Sequence, residues 1–135
     1  MLDSSVKTKI SHHFVCVSEL DLAIYLRLLT HFRNVCAHNE RLFSYRDRYD
    51  IPDTPLHKKL SIPLNGKQYS LGKKDLFSVV IAFRYLLPNE DFLAFKRNMG
   101  KLINTIKRSS NISEQKLLGA MGFPNNWSKI TSYKK

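Results

Sequence analysis

The sequence predicts an all-α fold, a helical bundle that carries one small β-hairpin. Three stretches, beginning near residues 18, 74 and 89, show the apolar spacing or apolar density of helices that pack together. Between the first two stretches, Asn65-Gly66 separates two apolar runs and is a strong hairpin signal. The chain has 135 residues, the length of one domain, which we assign to residues 1–135.

The first helix is predicted to run from Ser18 to about Arg46. Ser18 and Asp21 have the spacing of a capping box, which satisfies backbone N–H groups at a helix start. The apolar residues recur every three or four positions and predict one buried face: Leu22, Tyr25, Leu26, Leu29, Phe32, Cys36 and Phe43. Because the chain has two cysteines and no secretory signal, we expect Cys16 and Cys36 to be buried, reduced thiols.

The connector over residues 47–74 is rich in proline and glycine, which predicts that it contains no helix. The helix-breaking residues are Pro52, Pro55, Pro63, Gly66 and Gly72. Within the connector, we expect residues 60–71 to form a two-stranded flap, with Pro63 confining its strand to an edge. The expected cross-strand pairs are Ile62 with Tyr69 and Leu60 with Leu71.

A second long helix is predicted from Lys74 to Leu87, and Pro88 ends it. It is apolar almost all round, as expected of a helix at the centre of a bundle. Asn89 is expected to cap a third helix that extends to about Ser109. Its predicted apolar face consists of Phe92, Phe95, Met99, Leu102 and Ile106, and its other faces carry basic side chains.

A short helix near the C-terminus completes the predicted bundle. Ser113 is expected to cap it, and it extends to about Met121. Gly122 then supplies the residue type that most often ends a helix. We expect Trp127 to pack back on the bundle.

The chain is strongly basic, with a formal net charge of +11 and a sequence pI near 9.8. From Leu93 to Lys135 there is a single acid, Glu114, against nine basic residues: Lys96, Arg97, Lys101, Lys107, Arg108, Lys116, Lys129, Lys134 and Lys135. Such an excess favours a polyanionic partner such as RNA. A solvated basic face that keeps the protein soluble is the alternative.

The apolar runs exclude a membrane protein. Each run is too short to cross a bilayer, and residues 1–11 carry Asp3, Lys7 and Lys9 instead of the apolar block of a signal peptide. We therefore predict a cytoplasmic protein with no membrane contact.

A polar stripe in the first helix contains the candidate catalytic residues. Its members recur every three or four residues: Arg27, His31, Asn34, His38, Arg41 and Tyr45. Arg33 lies about 100° round the helix from Asn34. An Arg side chain stays charged and binds phosphate oxygens bidentately, whereas a His side chain transfers protons near neutral pH. The pattern suits phosphodiester chemistry, and a solvated helix face is the alternative.

The run from Arg33 to Leu42 resembles the signature of the bacterial abortive-infection, or Abi-like, family. That family belongs to the HEPN superfamily, whose ribonucleases carry an R-x(4–6)-H motif. Three other stretches resemble the same family: residues 9–14, 26–29 and 121–127. The likeness therefore extends over nearly the whole chain.

The resemblance implies a HEPN-like bundle and a metal-independent endoribonuclease that needs no cofactor. Arg33 and His38 match the two defining catalytic residues of the motif. Asn34 matches its auxiliary polar position, and Arg41 matches a position in the Abi-type extension. Family members commonly place two motifs opposite each other across a homodimer, so we expect a dimer. The nucleophile is expected to be the 2′-hydroxyl of the RNA itself.

RNA is the expected partner, and five further residues are predicted to contact it: Arg27, His31, Tyr45, Arg97 and Lys101. For a phage-defence protein or toxin, the resemblance also implies an antidote RNA or protein. Family members usually have a longer helical region before the motif, and here 32 residues precede Arg33. We expect either that a second copy completes the bundle or that the form is truncated and inactive.

Two other functions stay open at this point. A non-catalytic RNA-binding or regulatory module would use the same basic surface and keep the motif only as scaffold. A metal site is the other, because His12 and Cys16 lie four residues apart and His13 is adjacent. We favour no metal, since no second cluster completes a tetrahedral ligand set.

Overall fold

The computed structural model describes residues 18–37 and 45–132. Its elements are, in chain order, α1 (Glu19–Ala37), α2 (Pro55–Lys59), β1 (Leu64–Asn65), β2 (Gln68–Tyr69), α3 (Leu76–Leu86), α4 (Asn89–Ser110), α5 (Glu114–Met121) and a 3₁₀-helix (Trp127–Ser132). Helix α3 packs against α1 and α4, and α5 packs against α4. The predicted all-α class with one small β-hairpin is confirmed.

Helix α1 begins where the sequence predicted. The Ser18 hydroxyl accepts a hydrogen bond from the Asp21 backbone N–H at 3.1 Å. The prediction that the helix continues to Arg46 is wrong, because residues 45–47 are not helical. Instead, the Asp47 N–H donates to the Lys74 carbonyl at 2.7 Å, which lays this segment alongside the start of α3. Residues 38–44 of the predicted helix lie outside the described residues.

The buried face of α1 is rotated from the predicted one. Leu28 and Val35 are buried, whereas Leu26 is 43% exposed and Cys36 is exposed. The prediction of a buried thiol is therefore wrong for Cys36, and Cys16 lies outside the described residues. Contact with α3 buries the side of α1 that includes Leu28, which the predicted face did not contain. Leu26 and Cys36 lie away from that contact.

Helix α3 is the core helix that the sequence predicted. Nine of its 11 residues are buried. The Asp75 carboxylate caps it by accepting the Ser78 N–H at 3.0 Å, and the helix ends before Pro88. The Phe77 ring lies 5.0 Å from the Phe123 ring, so the segment after α5 closes over the same core.

Helix α2 lies within the connector, where the sequence predicted no helix. Pro55 occupies the first helical turn, and there its missing N–H costs nothing because that N–H would have no partner in the helix. The short helix places His57 in the core at 0% exposure. The imidazole Nδ1 accepts the Thr54 N–H at 3.0 Å, and Nε2 donates to the Gly72 carbonyl at 2.7 Å.

This arrangement makes stability sensitive to acid. Burial lowers the pKa of His57, so below pH about 6.5 the unfolded chain takes up the proton first and the folded state loses stability. We expect the free energy of unfolding of the parent chain to approach that of His57→Gln as the pH falls from 7.5 to 5.5. Urea unfolding at both pH values measures this difference. The same difference in free energy of unfolding between the two proteins at pH 7.5 and pH 5.5 would contradict the prediction.

The hairpin forms with a register that differs from the predicted one. Leu64 pairs with Tyr69 and Asn65 with Gln68, so the predicted pairs of Ile62 with Tyr69 and Leu60 with Leu71 are wrong. The turn is shifted by one residue, with Gly66 at its first position and a φ of +68°. A positive φ at that position is typical of a type II′ turn and favours glycine. Leu60 instead follows α2 as its C-cap.

Helix α4 spans the predicted residues with a different N-terminus. Pro88 is the N-cap, and the Asn89 side chain accepts a hydrogen bond from Arg84 at 3.1 Å instead of capping the helix. Phe92 and Ile103 are its buried residues. The prediction that Leu102 belongs to the apolar face is wrong, because this residue is 43% exposed.

The C-terminal region agrees with the sequence. The Ser113 hydroxyl accepts the Lys116 N–H at 3.3 Å and caps α5. Gly122 ends α5 in the left-handed conformation, with a φ of +78°. Trp127 is 8% exposed and its ring contacts that of Phe123, so it packs on the bundle as predicted.

Candidate functional site

The predicted site residues fall on three parts of the chain. Arg27, His31, Arg33 and Asn34 lie on α1, Tyr45 lies in the segment that follows it, and Arg97 and Lys101 lie on α4. His38 and Arg41 lie outside the described residues. The geometry of the predicted catalytic pair is therefore not described, and its assignment stays a prediction.

His31 is held by a buried carboxylate from outside its own helix. Its Nδ1 lies 2.8 Å from Asp47 Oδ1, and the Asp47 side chain is 2% exposed. The Tyr45 hydroxyl donates to the same Asp47 oxygen at 3.1 Å. The His31 side chain is 33% exposed, so the imidazole is fixed on one side and reaches solvent on the other.

Arg27 and Asn34 lie on the same side of α1 as His31. Both are exposed, and they lie one turn before and one turn after His31. The Arg27 guanidinium lies over the Tyr49 ring, 4.5 Å from its centroid. A cation–π contact of this kind restrains the guanidinium while leaving its N–H donors available. This face of α1 therefore offers a cation, an imidazole and an amide together.

Tyr45 takes part in the same cluster through two contacts. Its ring meets that of Phe32 edge to face, with centroids 4.9 Å apart, and its hydroxyl bonds Asp47. The ring is half-buried. The predicted role of Tyr45 in stacking on RNA stays a prediction, and its described role is to fix the segment that carries Asp47.

Arg33 lies on a different side of α1 from His31. Two residues along a helix correspond to a rotation of about 200°. Arg33 is exposed at the rim of an apolar groove with a volume of about 320 Å³. The other lining residues are Leu29, Phe32, Cys36, Leu76, Val79, Val80, Phe83, Phe95 and Met99. The described residues therefore bring Arg27, His31 and Tyr45 together and leave Arg33 beside α4.

The basic residues of α4 are arranged along one exposed side. Arg97 and Lys101 are both exposed and lie one turn apart. Met99, which lines the groove that Arg33 borders, is two residues from each of them and lies on a different side of α4. The neighbouring Lys96 is engaged with the C-terminal 3₁₀-helix, because its Nζ donates to Thr131 Oγ1 at 2.7 Å.

Sequence reasoning missed Asp47 and Tyr49 as members of the cluster. Asp47 was assigned to the start of the connector, 16 residues from His31 in the chain. No local pattern connects residues at that separation. The only available signal was the acid itself, since acids are scarce in a chain with 11 of them against 22 lysines and arginines.

Residues 18–37 and 45–132 contain no group of three or more His, Cys, Asp or Glu residues arranged to hold a metal ion. His12, His13 and Cys16, the alternative metal ligands, lie outside those ranges. No helix within the same ranges is both long and apolar enough to cross a membrane.

Part of the chain matches a known family. Residues 1–44 match the family described as Abi-like protein. The Abi-like match contains Arg33 to Leu42, the run on which the resemblance rests, and covers 44 of 135 residues. The predicted likeness at residues 121–127 lies beyond it. No curated protein and no solved structure matches the chain.

Proposed function

We propose that the chain is a metal-independent endoribonuclease of the abortive-infection or toxin type. The observation that carries this proposal is the Abi-like match over residues 1–44, which contains both Arg33 and His38. The net charge of +11 supports a polyanionic substrate. Exposure of Arg33 supports a role for its guanidinium in binding phosphate.

The proposed reaction uses the RNA as its own nucleophile. The ribose 2′-oxygen loses its proton to His38 and forms a bond to the adjacent phosphorus, and the bond from phosphorus to the 5′-oxygen breaks. His38 of a second copy gives a proton to that leaving oxygen. Arg33 stabilises the negative charge on the pentacoordinate phosphate. The products are a 2′,3′-cyclic phosphate and a 5′-hydroxyl.

Two copies are needed because one chain has a single such motif. The proposal therefore includes a homodimer that brings two His38 imidazoles to one phosphate. Arg97 and Lys101 on α4 are exposed and available to bind the RNA backbone. An antidote RNA or protein that restrains the nuclease is part of the same proposal.

The experiment that tests this function is cleavage of single-stranded RNA by the full chain in the presence of EDTA. We expect fragments with 2′,3′-cyclic phosphate and 5′-hydroxyl ends. DNA of the same sequence is expected to stay intact, because it has no 2′-hydroxyl. Fragments with 5′-phosphate ends, or cleavage abolished by EDTA, would contradict the mechanism.

A non-catalytic RNA-binding module is the second candidate. The exposed basic side of α4 favours it, because such a surface binds the RNA backbone without any chemistry. RNA binding that weakens steeply with salt, together with intact RNA after long incubation, would support this candidate over the nuclease.

A further inference from the structure

We propose that His31 and Asp47 form an acid–base pair for RNA cleavage, with His31 Nε2 as the group that takes the proton from the 2′-hydroxyl. This inference rests on the proposed ribonuclease function and names a second proton-transfer group for it. Asp47 is a positioning residue in this assignment and does not touch the RNA.

The carboxylate of Asp47 is firmly placed. It is nearly fully buried, and its Oδ1 lies within hydrogen-bond distance of His31 Nδ1 at 2.8 Å and of the Tyr45 hydroxyl at 3.1 Å. The Asp47 backbone N–H donates to the Lys74 carbonyl at 2.7 Å. Because both its side chain and its backbone are anchored, the carboxylate holds the imidazole in one orientation.

The contact also selects the tautomer of His31. A carboxylate accepts hydrogen bonds, so Nδ1 carries the proton and Nε2 keeps its lone pair. No described residue forms a hydrogen bond to Nε2, and the side chain is 33% exposed. A histidine with one nitrogen on a buried carboxylate and the other facing solvent is arranged as a general base.

The surroundings of His31 suit a phosphodiester. Exposed Arg27 lies one turn away, restrained over Tyr49, and can bind a phosphate oxygen. Exposed Asn34 lies one turn away on the other side. Among residues 18–37 and 45–132, Asp47 contacts the imidazole, Tyr45 shares the same carboxylate, and Arg27 lies one turn away on α1.

The proposed reaction transfers one proton to His31 and one proton from His38. His31 Nε2 accepts the 2′-hydroxyl proton as the bond from the 2′-oxygen to phosphorus forms. The bond from phosphorus to the 5′-oxygen breaks, and the His38 imidazolium protonates that oxygen. The Asp47 carboxylate stabilises the His31 imidazolium produced. His31 takes over the role of base from His38 of the same chain, and His38 of the second copy keeps its role as the acid.

The competing explanation is that the pair only fastens residues 45–51 to α1. Both explanations predict loss of stability on large changes, so the test uses His31→Gln and Asp47→Asn, which retain polar side chains of similar size. Thr30→Ala is the matched control, because Thr30 is an exposed neighbour on α1 whose hydroxyl donates to the Leu26 carbonyl of the same helix.

Single-turnover RNA cleavage between pH 5 and 9 measures the effect, with RNA affinity and melting temperature recorded for each variant. We expect His31→Gln to lower the rate by about 10²- to 10⁴-fold, with RNA affinity within a few-fold of the parent chain. Asp47→Asn removes the carboxylate that orients the imidazole, so we expect a slower cleavage rate with RNA affinity within a few-fold of the parent chain. Thr30→Ala is expected to match the parent chain.

Each outcome decides the assignment. Parental rates in His31→Gln, with an inactive His38→Ala, would overturn the acid–base pair and leave the ribonuclease intact. Absence of cleavage by the parent chain would overturn both. If His31→Gln does not fold, a parental cleavage rate in folded Asp47→Asn would overturn the pair.

Discussion

Replacement of His38 by alanine is expected to lower RNA cleavage by about 10²- to 10⁴-fold, because the variant has no imidazole to transfer the proton. RNA affinity is expected to stay within a few-fold, since the basic side of α4 is unchanged. The measurement is single-turnover cleavage of labelled RNA, accompanied by a binding titration on a substrate that lacks the reactive 2′-hydroxyl.

Two variants of Arg33 test the other residue of the predicted catalytic pair. Arg33→Ala removes both the charge and the two-pronged contact with phosphate, whereas Arg33→Lys keeps the charge. We expect the lysine variant to retain more activity than the alanine variant and less than the parent chain. Lys58→Ala, which removes an exposed charge on α2, is the control and is expected to cleave normally. Parental cleavage by purified His38→Ala would rule out the assigned catalytic pair.

Gly122→Ala is expected to destabilise the fold by about 2–4 kcal/mol. Gly122 has a φ of +78°, a conformation that costs a residue with a side chain about 1–2 kcal/mol. A Cβ atom there would lie 2.4 Å from Asp75 Oδ2 and 2.6 Å from Asp75 Cβ. Asp75 cannot move away without losing its bonds to the Gly72 and Ser78 N–H groups, and a lost helix cap costs about 0.5–2 kcal/mol.

Thermal unfolding checks this prediction, with an expected drop in Tm on the order of 10 °C. Gly119→Ala is a matched control three residues earlier, because Gly119 lies within α5 and a Cβ there meets nothing within 4 Å. Alanine favours a helix more than glycine does, so this variant is expected to gain about 0.5–1 kcal/mol. Similar Tm values for Gly122→Ala and Gly119→Ala would contradict the prediction, because they would show that the contact with Asp75 does not make a side chain at position 122 unfavourable.

Local sequence signals predicted the features of helices that depend on neighbouring residues. Ser113 and Gly122 bound α5 as expected, because capping and left-handed ends are properties of a few consecutive residues. The composition of α3, apolar almost all round, predicted a helix at the centre of the bundle, and nine of its 11 residues are buried. The first helix was predicted too long, because its helical spacing continues to Phe43 and Tyr45, whereas residues 45–47 are not helical and the Asp47 N–H bonds the Lys74 carbonyl.

The candidate site was predictable only in part. The spacing of Arg27, His31 and Asn34 placed them on one side of a helix, and the structure has them there. Helix geometry also places Arg33 on a different side of α1 from His31. Which elements pack against that side is decided by the tertiary structure. The groove beside Arg33 is formed by residues from α3 and α4, which are distant in the chain.

The sequence by itself determined the helical class, the core helix, the charge of the protein and the Abi-like run that contains Arg33 and His38. These depend on composition and on contacts within a few residues, which a local pattern encodes. Only the tertiary structure decided that Asp47 orients His31, that His57 links Thr54 to Gly72, and that Asp75 leaves no room beside Gly122. The contacts of His31 with Asp47, of His57 with Gly72 and of Asp75 with Gly122 join residues that are 15 or more positions apart in the chain, so no local pattern encodes them.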